Sequence, residues 1–218
     1  MYKIDDIINK VHCADCLEFM KEMPDKCVDL VLTDPPYGID VGKNDTVGGE
    51  KLAKVTNYGK HGWDKAIPDK EIFNEMFRIS KNQIIFGGNY MIEHLKSSPC
   101  WIVWDKDNTG NFADCELAWT SFPSAVRKIK YRWNGMLQGN MLEKEKRVHP
   151  TQKPQPVMRW ILEKYAQKSD LILDPFMGSG TTLCACQELG MDFIGIEIDP
   201  EYCKIAEKRI FNTQGSLF

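Results

Sequence analysis

The sequence predicts an α/β fold, a doubly wound sheet, on two observations. Apolar runs of strand length recur around Val11 to Cys13, Val28 to Thr33, Gln83 to Phe86, Trp101 to Trp104, Glu116 to Thr120, Leu171 to Leu173 and Phe193 to Ile198. Between several of them lie stretches whose apolar residues are three to four apart, the helical spacing. In addition, Asp15, Asp34, Gly87, Asp105, Asp174 and Glu197 fall at or just past the ends of those runs. Ligands of open α/β sheets gather beyond the carboxyl ends of strands, so these residues are expected to meet in one cleft. At 218 residues, 43% hydrophobic and 27% charged, the chain suits one domain, residues 1–218, with a sizeable core.

Each element has its own reason. The run Val28 to Thr33 reads as a buried strand and ends in Asp34-Pro35-Pro36-Tyr37. The two prolines stiffen the backbone and fix where a carboxylate, two carbonyls and a ring point. A planar substrate with an exocyclic amino group suits that clamp: Asp34 and the Pro35 carbonyl accept the amino hydrogens while Tyr37 stacks. Taken alone, the same residues also describe a strand ending in a proline turn with Tyr37 merely packed. The stretch Ile39 to Trp63 holds five glycines and four lysines and is read as a mobile loop that either closes over a substrate or is a passive insertion. Ile72, Phe73, Met76 and Phe77 mark a helix, and so do Trp160, Ile161 and Tyr165.

After Leu171 to Leu173 comes Asp174-Pro175-Phe176-Met177-Gly178-Ser179-Gly180-Thr181-Thr182, then a helical pattern from Leu183 to Leu189. Glycines between strand and helix let a ligand approach the backbone, but the spacing is not that of a dinucleotide fingerprint and no lysine follows as in a P-loop. A nucleoside without pyrophosphate fits. Glu197 ends the last run, where an acidic residue can grip ribose hydroxyls. Asp199 before Pro200 is placed to cap a helix from Glu201 to Phe211.

The net charge of −3 gives no global sign of nucleic-acid binding, but its distribution does. Residues 123–148 hold seven basic residues, among them Arg127, Lys128, Lys130 and Arg132, against two acidic ones, a net of +5. Such a segment attracts phosphates, and Tyr131 and Trp133 within it could touch bases or sugars; it also reads as an ordinary alternating strand. Cys13 and Cys16 beside His12 raise a metal hypothesis, but no second ligand pair stands at suitable spacing, so free buried thiols, kept reduced, and no metal are expected. The start of the chain does not resemble a signal peptide, and no apolar stretch approaches a membrane span. A cytoplasmic protein without membrane contact is expected.

Together these motifs resemble the S-adenosylmethionine-dependent DNA amino-methyltransferases of the permuted order, in which the catalytic motif precedes the cofactor motif. Besides Asp34 to Tyr37 and Asp174 to Thr182, the likeness takes in Asp15 with Leu17, Phe86-Gly87-Gly88-Asn89, Trp101 to Lys106, Glu116 to Phe122 and His149-Pro150-Thr151-Gln152-Lys153-Pro154. It implies a mostly parallel seven-stranded sheet with one antiparallel strand near its edge. It divides the chain into a catalytic half (1–122), a short basic insertion (123–148) and a cofactor half (149–218). Asp34, Pro35, Pro36 and Tyr37 become the catalytic tetrad. Asp174, Phe176, Gly178, Ser179, Gly180 and Thr181 are assigned to the methionine end of S-adenosylmethionine, with His149, Thr151 and Lys153 completing that pocket. Glu197, flanked by Ile198, takes the ribose, and Asp15 the adenine. The implied partner is double-stranded DNA, contacted by Arg127, Lys128, Lys130 and Arg132, and a homodimer is common in the group. An Asp in first place in the tetrad is more typical of enzymes acting on adenine N6 than on cytosine N4.

Overall fold

The computed structural model describes residues 1–39, 46–47, 56–57, 66–108, 113–134 and 137–215. In chain order the elements are α1 (Ile4–Ile7), β1 (Lys10–Cys13), α2 (Cys16–Lys21), β2 (Val28–Thr33), β3 (Thr46–Val47), β4 (Thr56–Asn57), α3 (Lys70–Ile79), β5 (Ser80–Phe86), β6 (Trp101–Asp105), β7 (Cys115–Thr120), β8 (Arg127–Lys130), β9 (Trp133–Asn134), β10 (Leu137–Gln138), α4 (Gln155–Tyr165), β11 (Leu171–Asp174), α5 (Thr181–Leu189), β12 (Asp192–Glu197) and α6 (Pro200–Gly215). All seven apolar runs are strands of one sheet, in the order β1-β12-β11-β2-β5-β7-β6-β8. Every neighbouring pair is parallel except those that β7 makes with β5 and β6.

The sheet has one strand more than expected. Arg127–Lys130, from the basic segment, joins the edge beside β6 as β8. Its pattern explains this: Ile129 turns toward the core while its neighbours Lys128 and Lys130 face solvent, the alternation of a strand with one wet face, and Arg127 is exposed at the strand's start. Of the glycine- and lysine-rich stretch, β3 and β4 form a short antiparallel ladder, and apart from Ile39 the remainder of the expected loop lies outside the described residues.

Both faces of the sheet are covered, so its strands alternate between two cores. Leu30, Leu32, Ile84 and Ile172 pack with residues of α4, α5 and α6, whereas Val31, Ile85, Leu173 and Ile194 pack with Phe19 and Met20 of α2 and Phe73, Met76 and Ile79 of α3. The three α3 side chains are fully buried, each stabilising the fold by roughly 1.5–3 kcal/mol. No helix among the described residues is long and apolar enough to cross a membrane.

Chain order and sheet order differ, and that difference positions the site. The last two strands, β11 and β12, insert between β1 and β2. Asp34, just past β2, therefore lies beside Asp174, at the end of β11, although 140 residues separate them in sequence. Because β7 runs against the others, its first residues, Cys115 and Glu116, lie at the same edge as the carboxyl ends of its neighbours.

Candidate active site

Asp34 sits at the centre of a buried cluster of charges. The Tyr37 hydroxyl donates to its Oδ1 at 2.5 Å, and the Lys153 ammonium donates to its Oδ2. Lys153 also stands 3.2 Å from Glu116, and Lys106 lies 2.5 Å from the other Glu116 oxygen. Two carboxylates and two ammonium groups thus alternate along one line, with Lys153 only 6% exposed. Burial alone would lower the Lys153 ammonium, but Asp34 and then Glu116 outweigh it and raise it. Burial opposes the charge on Glu116 as well, yet Lys153 and Lys106 hold its carboxyl below the ordinary range. For Asp34 burial pushes the carboxyl up, against the pull of Lys153 and Tyr37.

Tyr37 is fixed by its neighbours. Its ring rests on Gly87, where φ is +67° and an added Cβ would lie 2.1 Å from the ring, so both the backbone and the ring require glycine there. Tyr90, from the turn after Gly87, stacks on Tyr37 with centroids 5.1 Å apart. The hydroxyl on Asp34 and the stacked ring both restrain Tyr37 in this structure.

The second strand end supplies the turn. Asp174 is 3% exposed and accepts from Thr33 Oγ1 at 2.7 Å, Thr182 Oγ1 at 2.6 Å and the Phe176 N–H at 3.2 Å. Thr33 directly precedes Asp34, so its hydroxyl staples the strand of the tetrad to the strand of the turn. Gly178 and Gly180 have φ of +51° and +78°, in the left-handed region. At Gly178 an added Cβ would meet nothing nearer than the His149 ring at 3.7 Å, which leaves that backbone face open.

Asp34, Lys153, His149, Thr151, Asp174, Phe176, Gly178, Ser179 and Thr181 all line one pocket, which encloses about 360 Å³ including its open mouth. The side chains of Ser179 and Thr181 are bonded to Arg209 of α6, so they support the turn from behind. Glu197 accepts from the Gly178 and Asp199 N–H groups at 3.0 and 2.9 Å, tying β12 to the turn. Ile198 beside it is 68% exposed. Asp199 accepts from the Glu201 N–H at 2.8 Å and caps the start of α6. Asp15, at the same sheet edge, caps α2 by accepting from Leu17 and Glu18 with one oxygen.

The basic segment differs most from its sequence reading. Lys128 pairs with Asp105 at 3.2 Å, and Lys130 and Arg132 pair with Asp107 at 2.7 and 2.5 Å, so two carboxylates from another part of the chain offset much of its charge. Trp133 is 8% exposed and donates its indole N–H to the Gln152 carbonyl, which removes it from any surface that could touch a base. Tyr131 is half-buried against Gly139. Among the described residues no group of three or more His, Cys, Asp or Glu could hold a metal, the His12 ring is bonded to the Ile7 carbonyl, and Cys13 is a free thiol but exposed at the end of β1 rather than buried.

Comparison with known proteins agrees with this geometry. Residues 118–208 match the family described as DNA methylase. The chain is 27% identical to the Type II methyltransferase M.HinfI of Haemophilus influenzae over 95% of its own length and 69% of the relative's. It is 28% identical to the Type II methyltransferase M2.DpnII of Streptococcus pneumoniae over 90% and 87%. Among solved structures it resembles the M1.HpyAVI–SAM complex at 26% identity, with a TM-score of 0.57 over 92% of this chain and 98% of that one.

Proposed function

We propose, from the premise that this chain belongs to the S-adenosylmethionine-dependent DNA amino-methyltransferases, that it methylates the N6 amino group of an adenine flipped out of double-stranded DNA. One observation carries the reading: the tetrad carboxylate and the glycine turn face the same pocket. When bound, the cofactor supplies an electrophilic methyl group on a sulfonium. Asp174 and the open backbone at Gly178 fit its methionine end, with Glu197 toward the ribose and Asp15 toward the adenine.

Exocyclic amino nitrogen is a poor nucleophile because its lone pair is delocalised into the ring. Asp34 and the Pro35 carbonyl hold its hydrogens and favour a tetrahedral nitrogen, which concentrates that lone pair. A carboxylate offers about four acceptor positions, and Tyr37 and Lys153 occupy two at Asp34, so capacity remains for the amino group. By pairing with the ionised form, Lys153 keeps Asp34 an acceptor. After transfer the nitrogen sheds one proton, and Asp34 receives it. Incubation with labelled cofactor and mixed-sequence DNA, followed by mass spectrometry of the nucleosides, is expected to show N6-methyladenine. Only N4-methylcytosine would overturn the choice of base and leave the roles of Asp34 and Tyr37 standing.

Burial pushes the carboxyl of Asp174 up to about 6, against the pull of Thr182 and Thr33. Its ionised form is the partner for the cofactor's ammonium, so cofactor affinity is expected to rise as pH climbs through that value. The fold moves the other way: a carboxyl that holds its proton longer in the native chain makes the fold less stable as pH rises between its ordinary value and about 6. Calorimetric titration of the cofactor on both sides of that pH decides the first point, and equal affinities would remove Asp174 from the cofactor contact.

DNA contact by Arg127, Lys128, Lys130 and Arg132 belongs to the same proposal. The ion pairs of Lys128, Lys130 and Arg132 are open to water and therefore weak, so phosphates can replace Asp105 and Asp107 as partners. Changing all four to Gln is expected to flatten the salt dependence of DNA binding by about one unit of log–log slope for each phosphate that is no longer neutralised. An unchanged slope would mean that β8 faces away from DNA. A homodimer rests on the resemblance alone; sedimentation with and without DNA decides it.

A further inference from the structure

One face of α6 carries Tyr202, Ala206 and Arg209, four and three residues apart and so aligned along one side of the helix. Each meets a different residue at or beside the pocket wall. The Tyr202 ring lies 4.4 Å from that of His149. Ala206 packs so closely on Gly180 that an added Cβ there would approach to 2.8 Å. Arg209 places one guanidinium nitrogen 2.7 Å from the Ser179 carbonyl, 2.9 Å from the Ser179 hydroxyl and 3.2 Å from the Thr181 hydroxyl.

The other terminal nitrogen of Arg209 stands 4.0 Å from Glu145, a residue of the basic insertion. Glu145 accepts the Gln155 N–H at 2.9 Å, and its own backbone N–H and carbonyl bond both amide atoms of Gln138 at 2.8 Å. Arg209 is thus the point where the glycine turn, the start of α4 and the insertion meet. The side chains of Arg209 and Glu145 are only 18% and 17% exposed, so water competes weakly for these bonds. A solvated helix arginine needs none of these partners.

We propose that Arg209 is a positioning residue for the cofactor: it holds Ser179 to Thr181 in the conformation that binds the methionine end, and through Glu145 it locks the insertion to that turn. The proposal rests on the methyltransferase reading above. A turn with two left-handed glycines has little local preference for one shape, and a rigid planar fork that addresses several acceptors supplies it. Lysine, a flexible point charge, reproduces only part of that.

The test compares the unaltered chain with Arg209→Gln, Arg209→Lys and Glu145→Gln. Measurements are calorimetric affinity for S-adenosylmethionine, KM against kcat in DNA methylation, and thermal unfolding. Arg209→Gln is expected to weaken cofactor affinity about tenfold or more, with kcat at saturating cofactor changed by less than about threefold. Arg209→Lys should recover part of the affinity. Glu145→Gln, which keeps an acceptor for the Gln155 N–H, should shift affinity the same way by a smaller factor. A lower unfolding temperature with unaltered affinity would overturn the proposal and leave Arg209 a structural residue only. If Arg209→Gln does not fold, wild-type affinity in both remaining variants overturns it equally. Failure of the parent reading shows separately, as absence of cofactor binding by the unaltered chain.

Discussion

Replacing Asp34 by Ala is expected to lower methyl transfer by about three orders of magnitude while leaving cofactor affinity largely intact, the scale seen when a group that acts on the reacting atoms is removed. The two properties separate because Asp34 lies just past β2, whereas Asp174 and Glu197 end β11 and β12. Lys153 keeps a partner in Glu116, so the variant does not strand a buried ammonium. Glu197→Ala should behave in the opposite way, weakening cofactor binding with a smaller effect on turnover once cofactor is saturating, because its carboxylate braces the Gly178 N–H. Turnover assays paired with calorimetric titration separate the two, and near-normal turnover in the Asp34 variant would sink the clamp.

Lys153→Met carries the second large effect. It removes the cation that Asp34 and Glu116 share and leaves two carboxylates in a site where Lys153 itself is almost wholly buried. Breaking a buried pair in this way costs about 3–5 kcal/mol, read as a fall in the denaturant midpoint. The sign of the pH effect follows from the same loss. Without Lys153 the burial of Asp34 loses its largest offset and the Tyr37 hydroxyl offsets only part of it, so its carboxyl rises further and the acid limb of the pH–rate profile moves to higher pH. An unmoved acid limb together with an unmoved midpoint would show that the pair does no work in either role.

Much of the scaffold was legible in the sequence because burial on both faces writes each strand as an apolar run; all seven expected runs are strands. The tetrad and the glycine turn were legible for a related reason, since each adjoins one of those runs. Strand order was not legible: it depends on which strands meet in space, and with it went the role of Glu116, which reaches Lys153 only because β7 runs backward. Charge in the basic segment was overcounted because Asp105 and Asp107 precede it by about 20 residues and pair with it only across the sheet edge. Arg209 leaves no mark in the sequence at all; in a helix of mixed charge it reads as an ordinary solvated arginine until the fold lays it under the turn.

The neighbour relations of β1 bear on synthesis. Among the described residues β1 occupies one edge of the sheet, and its neighbour there is β12, fastened by the side-chain bond from Asn9 to Asp192 across 183 residues. A ribosome adding about 5–20 residues per second therefore releases β1 roughly 10–40 s before its partner exists. For that interval the strand's backbone groups have no ladder to join. The chain meets the hazard with a short strand that begins with Lys10 and soon gives way to Asp15, features that discourage pairing with a neighbouring nascent copy.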